Sequence, residues 1–115
     1  MIIAVDFDGT CVEHEYPRIG PDVPWAEETL KACVARGDVL ILWTMRSHAT
    51  LDAAVQWFRD KGLPLYGVNE NPDQRTWTSS PKVLAHVYID DAALGCPLTP
   101  QGYVDWVRVR ELLGV

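Results

Sequence analysis

With 115 residues, 48% of them hydrophobic and 23% charged, the chain has the balance of an ordinary folded protein, long enough for one core and too short for two. Its net charge of -6 and pI near 4.8 argue against a general nucleic-acid binder, which carries a basic face. No apolar run approaches the roughly 20 residues needed to cross a bilayer, and no basic segment or cleavage site follows the amino terminus. Cys11, Cys33 and Cys96 fall in no paired motif, which argues against a disulfide framework or a zinc site. The expectation is one domain over 1–115, soluble and cytoplasmic, with reduced thiols.

The chain opens with Ile2-Ile3-Ala4-Val5, an apolar run without alternation, which predicts a strand covered on both faces. It ends in Asp6-Phe7-Asp8-Gly9-Thr10, so two carboxylates stand at the carboxyl end of a strand, the edge where open parallel sheets bind ligands. Pro17, Gly20 and Pro21 keep the segment from Cys11 to Val23 irregular. His14, Tyr16 and Arg18 lie in it, where they could touch a substrate, although solvated loop residues are the commoner case.

Pro24 suits the first turn of a helix, with Glu27 and Glu28 near its positive end, an apolar stripe of Ala26, Leu30, Cys33 and Val34, and Gly37 as its stop. Val39 to Trp43 is a second buried strand that runs into Thr44-Met45-Arg46-Ser47. A second amphipathic helix is expected from about Thr50 to Lys61, with Leu51, Ala54, Val55 and Phe58 on one face. Pro64 to Val68 reads as a third strand, and Asn69 to Ser80 as a polar loop in which Trp77 is assigned to packing rather than to a substrate platform. Pro81-Lys82 opens a short turn or helix. Val87-Tyr88-Ile89 is then a strand ending in Asp90-Asp91. Thr99-Pro100 has the look of a helix cap and first residue, with Tyr103, Val104, Val107 and Leu112 docking that helix on the sheet. Tyr66, Trp25, Trp57 and Trp106 are read as core or edge packing, and His48 and His86 as packing or surface residues.

This alternation predicts an α/β fold, a three-layer α/β/α Rossmann-like sandwich with a mostly parallel sheet. Asp6, Asp8, Thr44, Arg46, Asp90 and Asp91 then share one sheet edge, with Lys82 within reach. Four gathered carboxylates repel unless a cation sits among them. A donor set of oxygens alone suits a hard divalent ion, with Mg²⁺ the default, and Mg²⁺ in turn suits a phosphate ester as substrate.

The order Asp6-Phe7-Asp8-Gly9-Thr10, Thr44, Lys82 and Asp90-Asp91 resembles the four motifs of the haloacid dehalogenase superfamily of phosphohydrolases. Within it, the Ile41 to Arg46 and Tyr88 to Asp91 runs resemble small phosphatase-like proteins of bacteria and phages. The resemblance implies that Asp6 is a nucleophile forming an aspartyl-phosphate and that Asp8 is the general acid and base. It also implies that Mg²⁺ is held by the Asp6 carboxylate, the Asp8 carbonyl and Asp90, with Asp91 bound directly or through water. Substrate binding falls on Gly9, Thr10, Thr44, Met45, Arg46 and Lys82, with the Thr44 hydroxyl and nearby backbone amides on the phosphoryl oxygens and Arg46 on phosphate or leaving group. The alternative for Arg46 is a surface salt bridge, and Arg75 is the fallback for Lys82.

Neither gap between motifs is long enough for a cap domain, so a capless member is expected. Substrate choice would fall to the Glu13 to Pro21 and Asn69 to Ser80 loops, or to a neighbouring subunit of a homo-oligomer. The substrate implied is a phosphorylated small molecule or an open-site macromolecule, with no membrane partner. The alternatives are a nucleotide or polynucleotide-end phosphatase, a phosphotransferase, and a regulatory module that binds a phosphorylated ligand without turnover.

Overall fold

The apolar runs Ile2–Val5 and Val39–Leu42 become the two inner strands of the sheet, each paired on both sides. The computed structural model describes residues 1–115. In chain order the elements are β1 (Ile2–Val5), α1 (Ala26–Ala35), β2 (Val39–Leu42), α2 (His48–Asp60), β3 (Leu65–Val68), a 3-10 turn (Gln74–Thr76), β4 (Val87–Ile89) and α3 (Trp106–Leu113). The sheet order is β3-β2-β1-β4 and every pairing is parallel. The chain moves outward from β1 through β2 to β3, then crosses back to place β4 on the other side of β1. That reversal opens a crevice at the carboxyl ends of β1 and β4.

The two faces of the sheet are covered differently. Ile3, Val5, Leu40 and Leu42 join one core with Leu30 and Cys33 of α1, Ala54, Trp57 and Phe58 of α2, and Trp106 and Val109 of α3. The alternate positions Ala4 and Ile41 are buried outside that core. They share a row with Tyr88, whose hydroxyl donates to the Val83 carbonyl. The third layer of this Rossmann-like fold is thus largely the segment between β3 and β4 with its 3-10 turn. Asn71 and Gln74, both buried, bind that segment together through the carbonyls of Leu84, Ser80 and Lys82.

Several boundaries depart from expectation. Helix α1 starts at Ala26, because Trp25 has φ 69° and breaks the helical path after Pro24. Helix α2 starts two residues early, at His48, where the Ser47 amide donates to Thr50 Oγ1. The final helix starts at Trp106, not Pro100. Thr99-Pro100-Gln101-Gly102 is a β-turn with Pro second and Gly fourth, closing a hairpin in which Leu98 pairs Val104, and Asp105 caps the helix through the Arg108 amide. Val107 and Leu112 consequently face solvent, and Trp106 and Val109 carry the docking. Trp25 and Trp77 are also exposed, at 52% and 67%, so of the core or edge packing expected for Trp25 only the edge remains, and the packing role assigned to Trp77 is not met. No helix is long and apolar enough to cross a membrane.

Candidate active site

The parallel sheet delivers the end of every strand to one edge. There a cleft of about 930 Å³ is floored by Asp6, Asp8, Asp90 and Asp91 and walled by Thr44, Met45, Asn69 and Pro81, with His14, Tyr16 and Trp43 also lining it. The Asp6 amide donates to the Ile89 carbonyl at 2.9 Å, extending the β1–β4 pairing one step and setting Asp6 beside Asp90. Carboxylate oxygens of Asp6, Asp90 and Asp91 all lie within 4.8 Å of one another.

The turn after β1 is built for this approach. Gly9 has φ 81°, and a Cβ there would collide with the Asp91 carboxylate, so only glycine lets that acid pack against the turn. The buried Thr10 hydroxyl donates to Asp6 Oδ2 at 2.8 Å and accepts the Asp91 amide at 3.2 Å, tying the two motifs together. The indole of Trp106 donates to the Thr10 carbonyl at 2.7 Å, and the Val104 amide to the Gly9 carbonyl at 3.1 Å. The start of α3 therefore clamps the turn.

No lysine, arginine or terminal amine pairs with the three acids. Burial raises the Asp6 carboxyl to about 7; the Thr10 hydroxyl opposes the rise and the nearby Asp90 charge adds to it. Burial also raises Asp91, helped by Asp90. A hard divalent ion fits this donor set: three oxygen ligands are close together, their charge is uncompensated, and the Asp8 carbonyl accepts no hydrogen bond within the protein.

Asp8 is different. Arg46 Nε donates to its Oδ2 and Arg46 Nη2 to its Oδ1, each at 2.7 Å. The same guanidinium donates to the carbonyls of Pro17 and Thr50, both at 3.2 Å, and of Arg18 at 2.8 Å. All five of its N–H groups are used, and Arg46 is 3% exposed. Both expectations for Arg46 are corrected. It is not a surface salt bridge, and it has no free donor for a phosphate.

Thr44 stands where expected, its amide donating to Asn69 Oδ1 at 2.8 Å and its hydroxyl accepting the Arg46 amide at 3.1 Å. The hydroxyl proton is left to donate into the cleft. The Gly9 and Thr10 amides are consumed inside their turn, by the Val12 and Phe7 carbonyls, which corrects their assignment as substrate donors. The amides of Asp8 and Met45, both lining the cleft, meet no protein acceptor. Lys82 is not brought into the wall. Its neighbour Pro81 is there, whereas Lys82 is exposed and its ammonium forms no ion pair. Arg75 pairs with Glu70 at 2.9 Å instead of serving as a substitute. His86 accepts the Ile2 amide through Nδ1, and His48 is exposed at the start of α2.

Asn69, expected only to begin a loop, stands at the site. It takes a left-handed φ of 52°, gives its amide to the Leu42 carbonyl and orients Thr44. It directly follows β3 as Asp6 follows β1, so the strand-end argument applied to β3 would have found it.

The solved structure of a conserved protein from Bacteroides thetaiotaomicron matches this one with a TM-score of 0.85 and 43% sequence identity, over 99% of this chain and 89% of that one. This chain belongs to that protein's family. At this identity and coverage the two chains share one α/β arrangement over nearly their whole length. No family model and no curated protein matches the chain.

Proposed function

We propose that the protein is a Mg²⁺-dependent phosphohydrolase of the haloacid dehalogenase type, acting on phosphate monoesters through a phosphorylated Asp6. The observation that carries this reading is the trio Asp6, Asp90 and Asp91, gathered at the topological switch point with no basic side chain paired to them. Asp6, Asp90, Asp91 and the Asp8 carbonyl would hold Mg²⁺, which when bound supplies the positive charge that lets an anionic phosphate approach an anionic carboxylate.

The chain's own groups do the rest. An Asp6 oxygen attacks phosphorus, its other oxygen held at Oδ2 by the Thr10 hydroxyl. The Thr44 hydroxyl and the amides of Asp8 and Met45 are donors for the phosphoryl oxygens as they gain charge. Asp8, a carboxylate in its pair with Arg46, takes a proton from the monoanionic ester and passes it to the leaving oxygen, then takes one from the water that hydrolyses the phosphoenzyme. Lys82, exposed and unpaired one residue beyond the cleft wall, is a cation for the incoming phosphate.

The test is phosphate release from an aryl phosphate with Mg²⁺, with chelator, and with Asp6→Asn. Release should need the metal and vanish in the variant; release indifferent to both would overturn the reading. A second reading is favoured by one observation: Asp8 has both oxygens tied to Arg46. On that reading the protein binds a phosphorylated ligand without turning it over. A panel of phosphate esters giving no turnover, while one raises the Tm in Mg²⁺, would select it.

A further inference from the structure

We infer that Arg46 is a positioning residue for Asp8, and that through it the Tyr16 to Arg18 loop helps set where the Asp8 carboxyl points. The inference rests on the reading of Asp6 as nucleophile and Asp8 as acid and base. A guanidinium paired side-on with both oxygens fixes the plane of a carboxylate, which a single ammonium charge does not. The guanidinium is itself fixed. Its remaining three N–H groups go to the Pro17, Arg18 and Thr50 carbonyls, and its carbon lies 5.1 Å from the Phe7 ring centre and 5.2 Å from that of Tyr16.

Stability alone accounts poorly for this arrangement. A buried ion pair contributes little net stability over an apolar pair of the same shape, whereas its direction decides which way Asp8 faces. With every donor spent, Arg46 acts on the reaction only through what it holds. Tyr16 lines the mouth of the cleft, so one buried side chain joins that wall to the acid on the floor.

The chemistry at stake is one proton. Paired with Arg46, Asp8 is a carboxylate that first takes a proton from the monoanionic ester on a lone pair the guanidinium leaves free. As the Asp6 oxygen forms its bond to phosphorus, the ester P–O bond breaks, its electron pair goes to the leaving oxygen, and that oxygen takes the proton from Asp8. A misaimed Asp8 then matters most when the leaving group is a poor one. A group that departs as a stable anion needs no proton.

Wild type, R46Q, R46K, D8N and R46Q/D8N are compared on an alkyl phosphate and on dinitrophenyl phosphate in Mg²⁺, with melting curves to establish folding. R46Q should lower kcat on the alkyl ester by about 100-fold or more and on the activated ester by less than about tenfold. D8N should show the same split, and R46Q/D8N should be no slower than D8N. R46K keeps the charge and loses the fork, so it should give the same split where R46Q folds poorly. Equal losses on both esters in a folded variant, or a double variant slower than D8N by the full R46Q factor, would overturn the inference while leaving the phosphohydrolase reading intact. A wild type that D6N leaves unaffected would remove both.

Discussion

Two acids stand near opposite edges of the same sheet with opposite electrostatic surroundings. Asp38, just before β2, is 6% exposed and held by the terminal amine of Met1 at 2.7 Å and by Arg36 Nη2 at 2.7 Å. Burial works to raise its carboxyl, yet those two cations keep it below the usual carboxylate range. Asp6, just after β1, is also largely buried and has two further acids for neighbours, and its carboxyl rises to about 7. An acid that serves the fold is neutralised by the fold. An acid left uncompensated beside others of its sign stores unfavourable energy that a ligand can release.

The largest effect that tests this contrast is pH dependence without metal. Folded Asp6 keeps its proton to about pH 7 and the unfolded chain loses it near 3.8, so the folded state binds more protons between those values. Stability from this group is full below the lower value and falls as pH rises through the higher one, with a linkage ceiling of about 4 kcal/mol that solvent in the cleft reduces. Denaturant melts in chelator should therefore weaken from pH 4 to pH 8, Asp6→Asn should flatten the slope and be the more stable protein at pH 8, and Mg²⁺ should restore wild-type stability with release of protons. A melt independent of pH would break the contrast.

Next in size is Gly9→Ala, which meets both a left-handed φ and the Asp91 carboxylate; it should cost about 3 kcal/mol and abolish any Mg²⁺-induced rise in Tm. Asp38→Asn should cost about 2 kcal/mol, moderated because both of its cations retain solvent access, and should leave Mg²⁺ binding unchanged. If it weakened metal binding, the two edges would not be independent. The smallest effect is Lys82→Ala. With no ion pair to lose, its Tm should move by less than about 0.5 kcal/mol equivalent, while phosphate release falls about tenfold.

Much of the site was legible because strands end abruptly. An apolar run followed by Asp6-Phe7-Asp8-Gly9-Thr10, and another followed by Asp90-Asp91, placed acids on one edge once the sheet was taken as parallel. The misreadings have local causes. Thr99-Pro100 fits a helix start and a β-turn equally well until Gly102 is seen to close the hairpin. Trp25 was expected at the core or an edge and Trp77 in a packing role, yet both face solvent, since hydrophobicity says nothing of which way a loop turns.

The strand-helix alternation, the paired acids and the glycine between them follow from residue type and spacing, because these act over a few neighbours. That Asp6, Asp90 and Asp91 converge with no basic side chain paired to them, that Trp106 clamps Thr10, and that Arg46 spends every donor on Asp8 and three carbonyls depended on contacts between segments as many as 96 residues apart. Arg46 shows the reason. A guanidinium has five donors and no preference among acceptors of similar geometry, so its partner is whichever oxygen the folded chain presents, and only the tertiary structure presented Asp8.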